Sequence, residues 1–165
     1  MNITVIGGSD GPVSILIAEN NKASWINLFG LVIVILMLLP NIIYAVKFHG
    51  IENKCKNKVM SWIEQIGRYS SMFLIIFNIG LAEFGFPSAE AYITYFVGNT
   101  VFLILYWCIW ILYFHKITFW KSMTLAVIPT AIFLLSGITS RHYLLVISAV
   151  AFGIGHIYVT HQNAR

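Results

Sequence analysis

The chain has 165 residues, of which 59% are hydrophobic and only 10% charged, and its mean hydropathy is +0.82. A soluble domain carries roughly 25% charged residues, so a water-facing surface cannot be built here and a soluble enzyme is excluded. Intrinsic disorder needs low hydrophobicity and high charge, and it is excluded too. Ten Lys and Arg stand against six Asp and Glu, a balance that would suit nucleic acid in a soluble chain. Most of these cations flank apolar runs, however, so membrane orientation and anionic head groups account for them and no nucleic-acid partner is expected.

The first element, residues 3–18, is too short for a comfortable crossing. Gly7 and Gly8 allow a tight turn, Ser9 or Asp10 can cap a helix, and Pro12 suits its first turn. A strand-like piece, a glycine break and a helix N-terminus make a broken membrane element, whose freed carbonyls and amides ligate a cation or cradle an anion. With no positive leader, the segment is expected to stay in the mature protein. The run Ile6-Gly7-Gly8-Ser9-Asp10-Gly11-Pro12-Val13-Ser14-Ile15 resembles the GGADGP-type motif of the β subunit of sodium-pumping decarboxylases. In that family the motif belongs to a broken membrane helix and its Asp takes part in sodium and proton coupling. The resemblance implies an ion site at Gly7, Gly8, Ser9 and Asp10, with Asp10 the coupling carboxylate and sodium the ion. Ser9 stands where the family usually has Ala and Val13 where it usually has Thr. The likeness is confined to this segment, and the family's second polar half-site has no counterpart. The alternative is a helix-capping turn at the outer interface.

Five apolar runs follow, at about 25–46, 61–82, 91–114, 119–137 and 142–160. Each is long enough for a ~30 Å hydrocarbon core, which takes about 20 helical residues, and lipid leaves the helix as the reading for each. The division is a broken segment over 1–23 and a polytopic helical domain over 24–165. Lys47, Lys54, Lys56 and Lys58 crowd the first connection; the second has Glu83 and Glu90; the third has His115, Lys116 and Lys121; the fourth has Arg141. The positive-inside bias predicts an outside N-terminus and a cytoplasmic C-terminus, hence a multi-pass protein of the cell membrane with the lipid bilayer as its first partner. Trp25, Trp62, Trp110, Trp120, Tyr113 and Tyr143 fall near the predicted ends, as an aromatic belt would. Leu39–Tyr44 and Ile63–Tyr69 are similar to small membrane proteins of anaerobic Gram-positive bacteria, which implies a compartment and no chemistry.

Ionisable groups at membrane depth are functional candidates by default, since each costs about 2.5–3.5 kcal/mol even on the lenient insertion scale. Glu64 and Arg68 are four apart and share a helix face, His156 lies near the end of the fifth run, and Asn41 follows Pro40, which deprives the Leu36 carbonyl of its usual partner. Together Asn41, Glu64, Arg68 and His156 form a candidate substrate pocket opening inward. Glu64 would be its proton or cation acceptor, Arg68 its anion clamp and His156 its proton relay. The alternative is an interfacial Glu64–Arg68 pair whose charges snorkel to water. Asn78 and Asn99 are expected to bond between helices or to line a cavity with Tyr92, Tyr95 and Tyr106. Run Tyr106–Trp110 reads as packing or as an aromatic wall. Ala149/Gly153 and Ala151/Gly155 have the spacing of a close helix contact, internal or with another copy or a larger membrane complex. Cys55 and Cys108 form no CxxC pair, so neither a disulfide nor a metal site is expected. Three functions compete: a small transporter or ion-binding protein, an accessory or sensor subunit acting through helix contacts, and, last, an intramembrane enzyme, for which no catalytic set stands out.

Overall fold

The computed structural model describes residues 25–47, 55–79 and 85–164. The broken element at 1–23, with Gly7, Gly8, Ser9 and Asp10, therefore lies outside the described residues. The described chain is all-helical, with α1 at Leu28–Lys47, α2 at Lys58–Ile76, α3 at Ala89–His115, α4 at Phe119–Thr139 and α5 at Tyr143–Asn163. Four of these, α1, α3, α4 and α5, are long and apolar enough to cross a membrane. The exception is α2, which corrects the expected second run. It carries Lys58, Glu64 and Arg68, and it stops at Ile76 rather than continuing to 82.

The stop has a backbone cause. Phe77 turns extended, at φ −107° and ψ 121°, and pairs with Ile26 in an isolated antiparallel bridge. The Asn27 amide donates to the Ile76 carbonyl at 2.7 Å and the Asn78 amide to the Trp25 carbonyl at 3.1 Å. Gly30 makes the approach possible, because a Cβ there would strike the Ile75 carbonyl. Asn57 caps α2 by accepting from the Met60 amide at 3.2 Å, and Ser88 caps α3 by accepting from the Ala91 amide at 3.1 Å. At the other end of α3, the Lys121 ammonium donates to the carbonyl of Lys116 at 2.9 Å and to that of Leu112 at 2.8 Å, where it joins the Lys116 amide at 3.3 Å, a cation on the carbonyl end of the helix.

Packing closes the helices into a ring in the order α1, α2, α5, α4, α3, with α2 also touching α4 across it. Ile33, Met37, Ile75, Leu103, Tyr106, Ile132, Phe133, Leu145 and Phe152 fill the interior. One end of the ring is basic: the Lys47 ammonium lies 5.6 Å from the Phe114 ring centre, Phe119 meets His161, and Lys121 caps α3. Trp25, Trp62, Trp120 and Tyr143 are exposed, as belt residues are. Trp110 corrects that expectation: it is 5% exposed and packs edge-on against Tyr106 and Tyr113 and tilted against Tyr44 and Phe114.

At the opposite end, α4 turns into α5 through Arg141, which takes the left-handed φ of 55°. The His142 amide then returns to the Gly137 carbonyl at 2.8 Å, the 6→1 bond of a Schellman turn. The His142 side chain lies in the turn, buried, with Nε2 donating to the Ile79 carbonyl at 3.0 Å. Burial pushes its imidazole below the ordinary histidine range, against the backbone hydrogen bonds that favour the charged form. A depressed base has one sign of effect: stability is complete above the unfolded value, near 6.5, and is lost as pH falls through the folded one, because the unfolded chain binds the extra proton. Acidification from about pH 7 to about pH 5 is therefore expected to lower the thermal midpoint, and His142→Gln to flatten that dependence. Parallel acid profiles for parent and variant would refute it.

Candidate functional site

The site is built where α2 crosses α5. On α2, Glu64, Gly67, Ser71 and Ile75 are the buried positions, spaced at three and four as one helix face. A Cβ on Gly67 would sit 2.5 Å from the Phe152 amide nitrogen, and one on Gly155 would sit 2.6 Å from the Glu64 nitrogen. The two backbones thus touch through glycine at two successive levels. Gly153, on the same helix, is turned to Thr130 of α4. The small residues of the fifth helix are accordingly used inside the chain, while Ile147, Val150 and Ile154 face outward.

Glycine contact brings the polar groups together. Glu64, 7% exposed, accepts through Oε1 from Arg68 Nη2, one turn on, and from His156 Nδ1 of α5 at 2.8 Å. A carboxylate only accepts, so Nδ1 carries the hydrogen. The 3.4 Å approach of Arg68 Nη2 to the same nitrogen is then a contact between two donors that share the Glu64 Oε1 acceptor. Phe152 completes the layer: its ring stacks on the His156 imidazole at 4.8 Å and 16° and lies 6.0 Å from the Arg68 guanidinium carbon. The Glu64 side chain is 10% exposed and that of Arg68 37%. Among the hydrogen bonds of the described residues, Arg68 spends only Nη2, and Glu64 only Oε1.

Asn41 does not join these three. Its Nδ2 donates to the Met37 carbonyl at 2.7 Å and to the Tyr106 hydroxyl at 2.8 Å. The pair bridges α1 to α3. A second polar layer occupies the other half of the ring. The Asn27 amide donates to the Tyr95 hydroxyl at 2.8 Å; Asn99 donates to the Tyr95 carbonyl at 2.8 Å and to Ser136 Oγ at 3.0 Å. Asn99 thus makes the expected bond between helices, whereas Asn78 lies beyond the end of α2. Asn99 Oδ1 and Ser71 Oγ are buried without a hydrogen-bond partner among the described residues. Sequence reasoning missed Tyr106 as partner of Asn41, and Phe152 and Gly67 as the frame around Glu64. For Gly67 the signal was present, three residues after Glu64 and one before Arg68. No group of three or more His, Cys, Asp and Glu side chains converges among the described residues.

No protein-family model, curated protein or solved structure matches this chain.

Proposed function

We propose that the protein is a small multi-pass protein of the cell membrane, of the transporter or ion-binding class, that holds an ion or small polar solute in the layer formed by Glu64, Arg68 and His156. The observation that carries the reading is the Glu64 carboxylate, nearly enclosed between a cation of its own helix and an imidazole of another. Such a network has donors and acceptors to spare, and we read it as serving the binding of a ligand rather than bond chemistry. The concentration of Lys47, Lys58, Lys116 and Lys121 at the same end of the ring favours a cytoplasmic placement of that end, with the N-terminus outside. Asp10, with Gly7, Gly8 and Ser9, is proposed as a separate sodium site on the strength of its motif.

Thermal unfolding of the purified protein with a panel of monovalent ions and small organic acids and bases tests the reading. A ligand at 100 times its dissociation constant stabilises by about 2.7 kcal/mol. The expected result is a ligand-specific rise that is lost in Glu64→Gln and kept in Glu90→Gln. A sodium-specific rise lost only in Asp10→Asn would place binding in the N-terminal motif instead. No response to any ligand would favour an accessory subunit working through the outward face of α5.

A further inference from the structure

We infer that the contact between His142 and Ile79 is an acid-opened latch. At neutral pH it ties the α4–α5 turn to the end of α2; one proton taken up by the imidazole parts the two and admits water to the polar layer beneath. It sits at the end of the ring opposite the lysines and does not depend on a ligand at Glu64. That end is held by single hydrogen bonds between segments far apart in sequence. His142 Nε2 donates to the Ile79 carbonyl at 3.0 Å, and because a carbonyl only accepts, the neutral ring has its hydrogen on Nε2. The Gly85 amide reaches the Ser140 carbonyl of the same turn at 3.4 Å. Within the turn Arg141 holds φ at 55°, a left-handed conformation that disfavours an L side chain.

The layer under the latch lowers the cost of opening. Asn99 Oδ1 and Ser71 Oγ are buried with no hydrogen-bond partner among the described residues, so the closed ring forgoes the hydration of both. Asn99 is tied to Ser136, whose carbonyl accepts the Ser140 amide at 3.1 Å, one turn from the latch. Ser71 lies about two turns before Ile79 along the chain. It differs from Ser61 and Ser70 of the same helix, which return their hydroxyls to carbonyls of the preceding turn. Water entering through the open end would satisfy both atoms. The proton sets the direction. His142 is 2% exposed, and burial outweighs the hydrogen bonds to the Ile79 and Leu74 carbonyls in its effect on the ring. A charge there is restored to water by opening, so the open form binds the extra proton and gains as pH falls. No charged side chain among the described residues contributes to the shift. On α2 no titratable side chain occurs over 74–79, Arg141, Tyr143 and Glu90 are exposed, and Tyr92 and Tyr95 pack against Phe86.

The test is hydrogen exchange of the full chain in nanodiscs, read by mass spectrometry as protection relative to an unstructured chain at each pH from about 7.5 to about 4. Below about pH 6.5, protection over 74–79 and 137–146 is expected to fall by up to about tenfold per pH unit. Over the same range 64–70 and 150–156, at the glycine crossing, are expected to hold theirs. His142→Gln keeps an amide donor for the Ile79 carbonyl but takes up no proton, and is expected to stay protected throughout. Ser71→Ala removes one atom that water would satisfy, and is expected to lose less protection than the parent. Acid loosening that is absent, that is unchanged in His142→Gln, or that runs equally through the glycine crossing overturns the inference, and so does a loss undiminished in Ser71→Ala. Should His142→Gln fail to fold, the parent decides. A loss confined to this end and starting near pH 6.5 supports the latch, and one that starts only below about pH 4.5, where carboxylates titrate, overturns it.

Discussion

Gly67→Ala and Gly155→Ala are each expected to destabilise the protein by about 1–3 kcal/mol, the range for overpacking a filled interior. The direction runs against helix propensity, which favours Ala over Gly by about 1 kcal/mol in a helix interior. Geometry decides between them. The new methyl carbons would lie 2.5 and 2.7 Å from the Phe152 amide nitrogen and Cα, or 2.6 and 2.8 Å from those of Glu64. These are backbone atoms of a packed helix and cannot turn aside, so α2 and α5 must part. Between membrane helices there is little hydrophobic gain to offset lost contact, because association rests on close packing. Gly98→Ala is the control. Its methyl would meet Leu135 Cδ2 at 2.6 Å, the far end of a flexible side chain, so propensity should win and stability should hold or rise. Reversible unfolding in mixed micelles, followed by tryptophan fluorescence, reads all three. The double variant should lose less than the sum, since one separation relieves both clashes. Equal behaviour of Gly67→Ala and Gly98→Ala would mean that the two helices do not touch through glycine.

The same crossing shows what could be read from residues alone. Helix content and four of the five expected apolar spans followed from composition, because lipid leaves the backbone little choice. The i, i+4 pairing of Glu64 with Arg68 followed from helix spacing. What did not follow was which helices become neighbours. His156 reaches Glu64 only because Gly67 and Gly155, 88 residues apart in a chain of 165, lie at one crossing, and nothing local to either glycine names the other. Asn41 shows the converse. Its depth suited the Glu64 layer, but α1 leans on α3 along its basic half, through Tyr44 against Trp110 and Tyr113, so the amide meets Tyr106 instead. The end of α2 was misplaced for a related reason. Residues 77–79 are apolar enough to prolong a helix, and the bridge from Phe77 to Ile26 overrides that local preference with a long-range backbone pairing.

Arg68→Met is expected to cost about 3–5 kcal/mol, the price of leaving a buried carboxylate without its cation. Glu64→Met should cost less, because the Arg68 side chain is 37% exposed and its long stem can carry the charge toward water. Replacing both by Met removes the charges together with the need to compensate them, and the double variant should return to within about 1 kcal/mol of the parent or exceed it. The double-mutant cycle is then strongly non-additive, with a coupling of at least about 2 kcal/mol. The loss in Arg68→Met should also shrink on acidification, as a proton on Glu64 removes the unpaired negative charge. Simple additivity in the cycle would show that Glu64 and Arg68 do not act as a pair. Non-additivity with a stable double variant carries the argument further. It would mean that the fold gains nothing from placing a carboxylate, a guanidinium and an imidazole against one another inside the ring. That outcome would favour the proposed ligand-binding role, and the ligand panel can then be repeated on a double variant that is folded but has lost the charges of its site.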